Sequence, residues 1–392
     1  MALLNTSPSG DSRRPLTRAV LVGALGVALA APASAAFAQG QCKGRPAEHT
    51  PACDTTHAPA PFAPTGWKTT GLDHFTMRAA DYKKEAAFYV ALMNWTLRSD
   101  DGKQAVLDIG DVGTVVITGG YTPPPPPPPR VLSAADSAAL AARGGGAGGA
   151  GRGGGQRRVP QVIWDSYAWI ISPWNAKTVE AELKKRGLDP VADNSGPAGC
   201  EAFHVKDPQG FDVVVTNACY AKGRKNAKAV ALSEPLPFEK TNWKTTWLDH
   251  ISFGVGDYKR EVAFYEALLG WKPQGDEGSQ NETWMCDDCG NILIRGGNYM
   301  SPAFDKNAPA RAVIDHVSFG ISPFVPDAVA ADLKARGLNV QYDIGIPGVD
   351  AVAHINDANV NYKSFHTTTT LGYNLQFSNA TKQNRTVIIK QP

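Results

Sequence analysis

The sequence of 392 residues lacks a strong excess of charge of either sign, since 39 Lys and Arg stand against 37 Asp and Glu, a net charge of +2. A charge this small creates no field that gathers nucleic acid, so we predict no nucleic-acid partner. Long apolar runs are lacking too, because the uncharged run from Ala19 to Ala31 is shorter than the roughly 20 residues that cross a bilayer. We therefore predict no membrane span in the mature chain.

The N-terminal 38 residues have the pattern of an export signal. Arg13-Arg14 precede the apolar run, and small-residue cleavage sites follow at Ala33-Ser34-Ala35 and Ala36-Phe37-Ala38. The paired arginines favour a twin-arginine signal, and an ordinary secretory signal is the alternative. Either signal predicts an exported protein, periplasmic or extracellular.

Six cysteines fit an oxidising compartment. Their spacing suggests three local pairs, Cys42 with Cys53, Cys200 with Cys219 and Cys286 with Cys289. The last pair could instead be half of a zinc site or a redox pair, but no second motif of this kind completes a tetrahedral zinc cage. We favour a disulfide at the tip of a hairpin.

An internal duplication dominates the remaining sequence. Of the 29 positions from Trp67 to Trp95, 17 are identical to those from Trp243 to Trp271. A repeat of this length defines the unit of folding, and differences between the copies indicate where one copy has gained or lost chemistry. The length and the composition, 43% hydrophobic and 19% charged, predict two globular domains with accessory segments.

Two kinds of unit alternate along the chain. In the first copy we predict a strand over 71–77, a helix over 81–93 with Asp81 as its N-cap, and strands over 104–109 and 114–118. In the next unit we predict a strand over 166–171, a helix over 176–186 ended by Gly187, and strands over 202–205 and 212–216. Four units of the βαβββ type therefore form two pairs, an α+β fold.

The predicted boundaries follow changes in composition. Seven prolines at 123–129 and the glycines of 144–155 mark an exposed insertion, with a short helical pattern over 134–142 between them. We predict a leader at 39–64, a first domain at 65–219 with its insertion at 121–159, a linker at 220–240, a second domain at 241–380 and a tail at 381–392.

These units resemble the vicinal oxygen chelate superfamily, which includes glyoxalase I, extradiol ring-cleaving dioxygenases and the fosfomycin and bleomycin resistance proteins. The resemblance rests on paired βαβββ units that open on a strand with Asp-His, and on Asp207-Pro208-Gln209-Gly210 before a closing strand. It implies that each pair of units forms a cupped mixed sheet. It also implies that inward residues of the opening and closing strands bind a divalent metal.

Carried over by position, the resemblance gives the C-terminal half a candidate metal site. His250 and His316 lie on opening strands, and Gln376 lies on the closing strand where the family usually has Glu. Iron, manganese or zinc would suit two imidazoles and one oxygen, which leave adjacent coordination positions open to a chelating substrate. Ile294 takes the corresponding place in the third unit and cannot bind a metal. A hydrogen-bonded lining of an empty ligand pocket is the alternative role of the two histidines.

The N-terminal half keeps His74 but not the rest of the set. Ser166 stands at the place of His316, and Val214 at the place of Gln376. We therefore predict that this half has lost its site and serves as a structural or lid-forming partner.

Further residues are candidates for lining the second site. His366, ten residues before Gln376, is the candidate catalytic acid or base, although His204 at the same place in the first half favours a shared structural role. His354 is a weaker candidate. Glu282, Trp284 and Trp247 are candidates for the wall of the cup.

The sequence favours an exported metal-dependent enzyme, dioxygenase-like or glyoxalase-like, that acts on a small oxygen-rich or aromatic substrate. The alternative is a binding protein that sequesters an aromatic or antibiotic-like molecule without turnover. Glyoxalase I activity on a glutathione adduct is disfavoured, because that substrate is cytoplasmic. The sequence defines neither the substrate nor the oligomeric state.

Overall fold

The computed structural model describes residues 56–125, 159–224, 227–276, 278–346 and 349–385. The export signal, the Cys42–Cys53 pair and most of the Pro- and Gly-rich insertion lie outside these residues. Among the helices that are described, none has the length and apolar character needed to cross a membrane.

Within its described residues, the N-terminal half forms eight strands and three helices. They are β1 (Lys68–Ala79), α1 (Tyr82–Leu92), β2 (Thr96–Asp100), β3 (Gln104–Ile109), β4 (Gly113–Thr118), β5 (Val162–Ser172), α2 (Ala176–Lys185), β6 (Val191–Asp193), β7 (Ala202–Lys206), β8 (Asp212–Thr216) and α3 (Ala221–Arg224). The predicted cap of α1 is confirmed, since the Asp81 side chain accepts from the amide of Lys84. Gly187 follows α2 with a φ of 75°, in the left-handed region that ends a helix.

The C-terminal half repeats this order. Its elements are β9 (Lys244–Val255), α4 (Tyr258–Leu269), β10 (Lys272–Asp276), β11 (Gln280–Trp284), β12 (Asn291–Gly296), β13 (Ala312–Ser322), α5 (Pro326–Ala335), β14 (Gln341–Asp343), α6 (Ala351–His354), β15 (Ser364–Thr368) and β16 (Asn374–Ser378).

Each half is one mixed sheet of eight strands. The strand orders, β2-β3-β4-β1-β5-β8-β7-β6 and β10-β11-β12-β9-β13-β16-β15-β14, are the same. The opening strands of two units pair antiparallel at the centre, and each runs parallel to the closing strand of its own unit. The predicted fold class, four βαβββ units paired into two mixed sheets, is confirmed.

The two faces of the C-terminal sheet differ sharply in polarity. On β9, Ile251 and Phe253 point to one face and are fully buried in the apolar core beneath the helices. His250 and Ser252 alternate with them and point to the other face. This second face of each sheet, which we call the cup, is where the candidate residues lie.

The halves pack together through the residues that the duplication preserved. The indole of Trp95 donates to Thr245 Oγ1 at 2.9 Å, and that of Trp271 donates to Thr69 Oγ1 at 3.0 Å. Each contact mirrors the other across the interface, which explains why the Trp-Lys-Thr-Thr phrase and its distant Trp persist in both copies.

Candidate metal and substrate site

His250 and His316 each follow an aspartate in a β-bulge. The pairing of β9 with β13 skips Asp249 between Leu248 and His250, and skips Asp315 between Ile314 and His316. A bulge leaves one extra residue unpaired and redirects its side chain. Each extra aspartate thereby reaches the ring of the histidine that follows it, a structural reason for the Asp-His phrase in the sequence.

The two imidazoles converge at the centre of the cup. His250 Nε2 lies 3.2 Å from His316 Nε2. On the far side of each ring, Nδ1 faces a carboxylate oxygen, Asp249 at 3.3 Å and Asp315 at 2.9 Å. Carboxylates at Nδ1 hold the ring proton there and leave Nε2 with its lone pair. At this distance either one Nε2 carries a proton and donates to the other, or both keep their lone pairs and share a cation between them.

Burial works against a proton as that cation. Desolvation lowers the pKa of His316 to about 4, although the hydrogen bond to Asp315 opposes this shift. The bond from His316 holds the pKa of Asp315 near 2 against burial, with the charges of His316 and Arg295 adding to it. The His316 ring is therefore neutral at pH 7, and its Nε2 is available as a ligand atom.

A network of hydroxyl groups keeps Asp249 charged. Its Oδ2 accepts from Ser318 Oγ at 2.7 Å, Ser378 Oγ at 2.8 Å and the Tyr362 hydroxyl at 3.0 Å. Burial raises the pKa of Asp249, but the field of His250 and the hydrogen bonds outweigh it, so the pKa lies below its ordinary value. Sequence reasoning missed Asp249 and Tyr362, although the recurring Asp before each His was a signal for the first.

Gln376 lies on the same face as the two histidines. It is the register partner of Ser318, which is itself the register partner of His250. Its Nε2 donates to Ser364 Oγ at 2.8 Å and lies 3.1 Å from the Tyr362 hydroxyl. Its Oε1 is buried and has no hydrogen-bond partner, so the amide is oriented with one acceptor left unused.

The assignment of Ile294 was wrong. In the register of β12 with β9, Ile294 is paired with Phe253, which points into the core. Leu293 is the residue that corresponds to Gln376, and Asn291 lies beside His250 on the cup face. The conclusion that the third unit supplies no ligand at the position of Gln376 is unchanged, because Leu cannot bind a metal either.

His366 is the cross-strand neighbour of Gln376. Its ring centre lies 5.0 Å from that of His316. Its Nδ1 is 3.0 Å from Asn374 Oδ1, and its Nε2 is 3.4 Å from Asp343 Oδ2. His366 therefore lies within the cup, with an oxygen opposite each ring nitrogen.

The remaining candidates occupy the wall or the surface. Trp284 is the register partner of Asn291, and Asn291 donates through Nδ2 to Glu282, so both Glu282 and Trp284 face the cup. Trp247 is buried, and the guanidinium of Arg385 lies 5.6 Å from its ring centre and 4.4 Å from that of Trp284. His354 lies on α6, half exposed, and pairs with Asp357.

The register agrees with the residue equivalences in the first half. Ser166 pairs with Thr76, two residues after His74, and Val214 pairs with Ala168, two residues after Ser166. His204 pairs with Val214 as His366 does with Gln376.

The cup of the first half is filled by its own chain. The ring of Tyr220 packs edge-on against His74 with centres 4.7 Å apart. Tyr220 clusters with Val214, Ala168 and Cys219, and its amide donates to Asp73. The segment predicted as a linker thus begins inside this cup, which sequence periodicity gave no means to foresee.

Two of the three predicted cysteine pairs are disulfides. Cys200–Cys219 ties the loop before β7 to the chain after β8, beside the filled cup. Cys286–Cys289 closes the turn between β11 and β12, and both of its carbonyls accept from Arg385. The hairpin-tip disulfide is therefore confirmed, as opposed to a zinc half-site.

Within the part of the chain that the structure describes, no three His, Cys, Asp or Glu side chains are grouped to hold a metal ion. The donor chemistry of this face fits a metal in another way, since two Nε2 atoms converge there and the amide oxygen of Gln376, on the same face, has no hydrogen-bond partner. Both histidines have the carboxylate partners that orient metal ligands.

Solved structures share this fold. The Mn(II)-bound glyoxalase from Novosphingobium aromaticivorans is 14% identical, with a TM-score of 0.51 over 80% of this chain and 82% of that one. The 2,3-dioxygenase LapB from Pseudomonas sp. KL28 is 12% identical, with a TM-score of 0.50 over 79% and 92% of the two chains. No family model and no curated protein matches the sequence. The resemblance to the vicinal oxygen chelate superfamily is thus confirmed at the level of the fold.

Proposed function

We propose that this protein is a metal-dependent enzyme that acts on a small molecule with two neighbouring oxygens, bound in the cup of the second half. The observation that carries the proposal is the 3.2 Å separation of His250 Nε2 and His316 Nε2. Two nitrogens bound to one ion at about 2.1 Å, at roughly a right angle, lie about 3 Å apart. A shared metal ion relieves the repulsion of the two lone pairs, and the lowered pKa of His316 disfavours a proton there.

His250, His316 and Gln376 would hold the ion, and iron, manganese or zinc suits such donors. When bound, the ion supplies Lewis acidity to a chelating substrate. Asp249 and Asp315 orient the imidazoles, and Ser364 and Tyr362 orient the Gln376 amide. Because Gln is neutral where a carboxylate is usual, the three ligands bring no negative charge, which weakens the hold on a cation and favours an anionic chelator.

His366 is the proposed proton donor. Each of its ring nitrogens faces an oxygen, and the pKa of Asp343 lies below its ordinary value, because hydrogen bonds from His366 and the Gly345 amide outweigh burial. Its place beside the candidate ligands His316 and Gln376 suits a group that transfers a proton to a bound substrate.

Metal binding tests the proposal directly. Protein stripped with chelator and titrated with Mn(II) should bind close to one ion per chain, and His316→Ala should lower the affinity at least about 100-fold. His74→Ala is the matched control, because its ring lies at the same place in the filled cup, and it should leave the affinity unchanged. A wild type that binds no Mn(II), Fe(II) or Zn(II) contradicts the proposal.

The role of His366 has its own test. Oxygen uptake with catechol by Fe(II)-loaded protein should fall about 100-fold or more in His366→Gln, with Fe(II) content unchanged. His204→Gln, the same change beside Asp193 and Asp212 in the first half, should alter neither. Equal uptake in wild type and His366→Gln would leave His366 only the structural role that it shares with His204.

A binding protein without turnover is the second candidate. It is favoured by the ligand set itself, which lacks a carboxylate at Gln376 and contains only two histidines. In thermal-shift measurements, a binding protein gains stability from aromatic ligands but not from divalent metals. The enzyme proposed above shows the reverse, or requires the metal before the ligand has any effect.

Export is the proposed location. The disulfides Cys200–Cys219 and Cys286–Cys289 are typical of an oxidising compartment. Expression of the full chain with residues 1–38 should deliver a cleaved protein outside the cytoplasm, detected by N-terminal sequencing after fractionation. The variant with Arg13 and Arg14 changed to Lys separates the two signals, because only a twin-arginine signal loses export.

A further inference from the structure

A cleft of about 400 Å³ opens at the end of the second cup, along the strands that carry His250 and Asn291. Its lining includes Gly254, Arg295, Arg311 and Asp315. Gly254 and Arg295 are register partners on the cup face, four residues beyond His250 and Asn291 respectively. The cleft is therefore continuous with the face that carries the candidate metal ligands.

In the first half an ion pair occupies the corresponding place. Arg78 stands where the second half has Gly254, and Thr118 stands where it has Arg295. Arg78 spans this position to pair with Asp165, the bulge residue that corresponds to Asp315, at 2.9 Å. Loss of the side chain at Gly254 leaves space, and a Cβ added there would lie 3.7 Å from Arg311 Nη2. The guanidinium of Arg311 thus lies over the opening that Gly254 provides.

The charges of the cleft favour an anion. Among the described residues that line it, Arg295 and Arg311 contribute two positive charges and Asp315 is the one acidic residue. Asp315 is already engaged, since the same oxygen accepts from Arg295 at 2.8 Å and from His316 Nδ1 at 2.9 Å. Among the described residues no carboxylate pairs with the guanidinium of Arg311. Within the described part of the chain, the donors of the Arg311 guanidinium are therefore not engaged by a carboxylate.

The backbone of Arg311 is fixed by the other half of the molecule. Gln209 Oε1, from the turn between β7 and β8, accepts from the amides of Arg311 at 3.0 Å and Gly256 at 3.2 Å. An exposed arginine at the end of a loop would otherwise lose more entropy when it binds a ligand. The first half thus contributes to the cleft although its own cup is filled.

We propose that this cleft binds a carboxylate of the substrate, with Arg311 as its main partner and Arg295 as the second. The guanidinium of arginine presents two parallel N–H donors that match the two oxygens of a carboxylate. Charge and hydrogen bonding together then favour a substrate with a carboxylate over an uncharged one. The inference rests on the proposed function, because it assigns the second recognition group of a molecule whose neighbouring oxygens are chelated beside His316. The substrate class is therefore an anionic catechol-like or other vicinal dioxygen compound with a carboxylate side chain.

The test compares 3-(3,4-dihydroxyphenyl)propanoate with its uncharged methyl ester. Calorimetric titration of Mn(II)-loaded protein at low salt should give the acid about tenfold higher affinity than the ester. Arg311→Gln should reduce that ratio to within about twofold, while the affinity for unsubstituted catechol and the Mn(II) content stay as in wild type. Arg78→Gln, the matched change in the first half, should preserve the ratio.

Equal binding of acid and ester by wild type, or a tenfold ratio that survives in Arg311→Gln, overturns the inference. If no metal binds, the proposed function fails and the cleft is tested alone with 3-phenylpropanoate, which has a carboxylate but no chelating oxygens. Metal-free wild type should then shift the NMR signals of residues at Gly254 and Arg311 with this probe, and Arg311→Gln should not. An unshifted wild type overturns the inference independently of the metal.

Discussion

The two cups have the same strand order, but one is packed with apolar side chains and the other is lined with polar ones. In the first cup, Val214 and Tyr220 belong to one apolar cluster, and Asp212 Oδ1 forms an ion pair with Lys206 Nζ at 3.4 Å. Among the described residues of the second cup, four buried side-chain atoms have no hydrogen-bond partner: Ser252 Oγ, Trp284 Nε1, Asn291 Oδ1 and Gln376 Oε1. Buried polar atoms without partners cost stability. The first cup is packed by its own side chains, whereas the second keeps buried polar atoms that a bound ligand would satisfy.

The largest effect on stability should come from Tyr220, the residue that fills the first cup. Tyr220 is 8% exposed, and its ring covers His74. Tyr220→Ala should lower the free energy of unfolding by about 3 kcal/mol, because it removes a buried ring and leaves a cavity. Urea denaturation measures the change. Mn(II) affinity should stay at the wild-type value, since the second cup is untouched. A decrease in the free energy of unfolding below about 1 kcal/mol would show that Tyr220 is not tightly packed in the first cup.

The interface offers a second matched pair, Glu85 of α1 and Glu261 of α4. Burial raises the pKa of Glu85 to about 7, and burial with the nearby Asp207 raises that of Glu261 to about 10. Between pH 4.5 and 7 the folded chain keeps a proton on Glu85 that the unfolded chain has released, so stability falls as the pH rises through this window. For Glu261 the fall continues toward pH 10.

Glu85→Gln should remove the first part of this fall, up to about 3 kcal/mol, and Glu261→Gln the later part. Urea midpoints at pH 5, 7 and 9 separate the two. Relative to wild type, Glu85→Gln should gain stability mostly between pH 5 and 7, whereas Glu261→Gln should continue to gain up to pH 9. Identical pH profiles for wild type and both variants would exclude raised pKa values at this interface.

The two halves also differ in the hydrogen bonds of an equivalent aspartate in a β-bulge, Asp249 in the second half and Asp73 in the first. Asp249 lies 3.3 Å from His250 Nδ1, and its Oδ2 accepts from hydroxyl groups. Asp73, in contrast, is hydrogen-bonded to His74 Nδ1 at 2.8 Å and also accepts from the amides of Tyr220 and Ala221. Asp249→Asn should weaken Mn(II) binding by about 10- to 100-fold, because a carboxylate behind a histidine raises its basicity as a ligand. Asp73→Asn should leave Mn(II) binding unchanged and lower the unfolding free energy instead. An equal effect of Asp249→Asn and Asp73→Asn on Mn(II) affinity would contradict the assignment of the metal site to the second half alone.

The fold could be predicted from the sequence because the duplication aligns the units with one another. The Asp-His phrases mark the opening strands, and the aligned units give the helix caps and the equivalence of Ser166 with His316. Assignment failed at Ile294, because a one-residue slip inverts which side chains face the cup, and nothing in the short β12 fixes its register without its neighbours. The strands β2 and β6 escaped notice because they are short, with largely exposed residues. Tyr220 and Arg311 depend on contacts between segments far apart in sequence, which periodicity does not report.

The smallest effect should come from Ser252, which lies two residues beyond His250 and is the register partner of His316. Its hydroxyl is fully buried and has no partner, so Ser252→Ala removes an unsatisfied group at little cost in packing. The unfolding free energy of the ligand-free protein should rise by about 0.5–1 kcal/mol, measured as a higher urea midpoint. The affinity of the Mn(II)-loaded protein for catechol should not rise in this variant, because we expect the Ser252 hydroxyl to find its hydrogen-bond partner when the ligand is bound. Thr76→Ala at the same place in the filled cup should give no such gain, and a destabilised Ser252→Ala would show that the hydroxyl is already satisfied in the free protein.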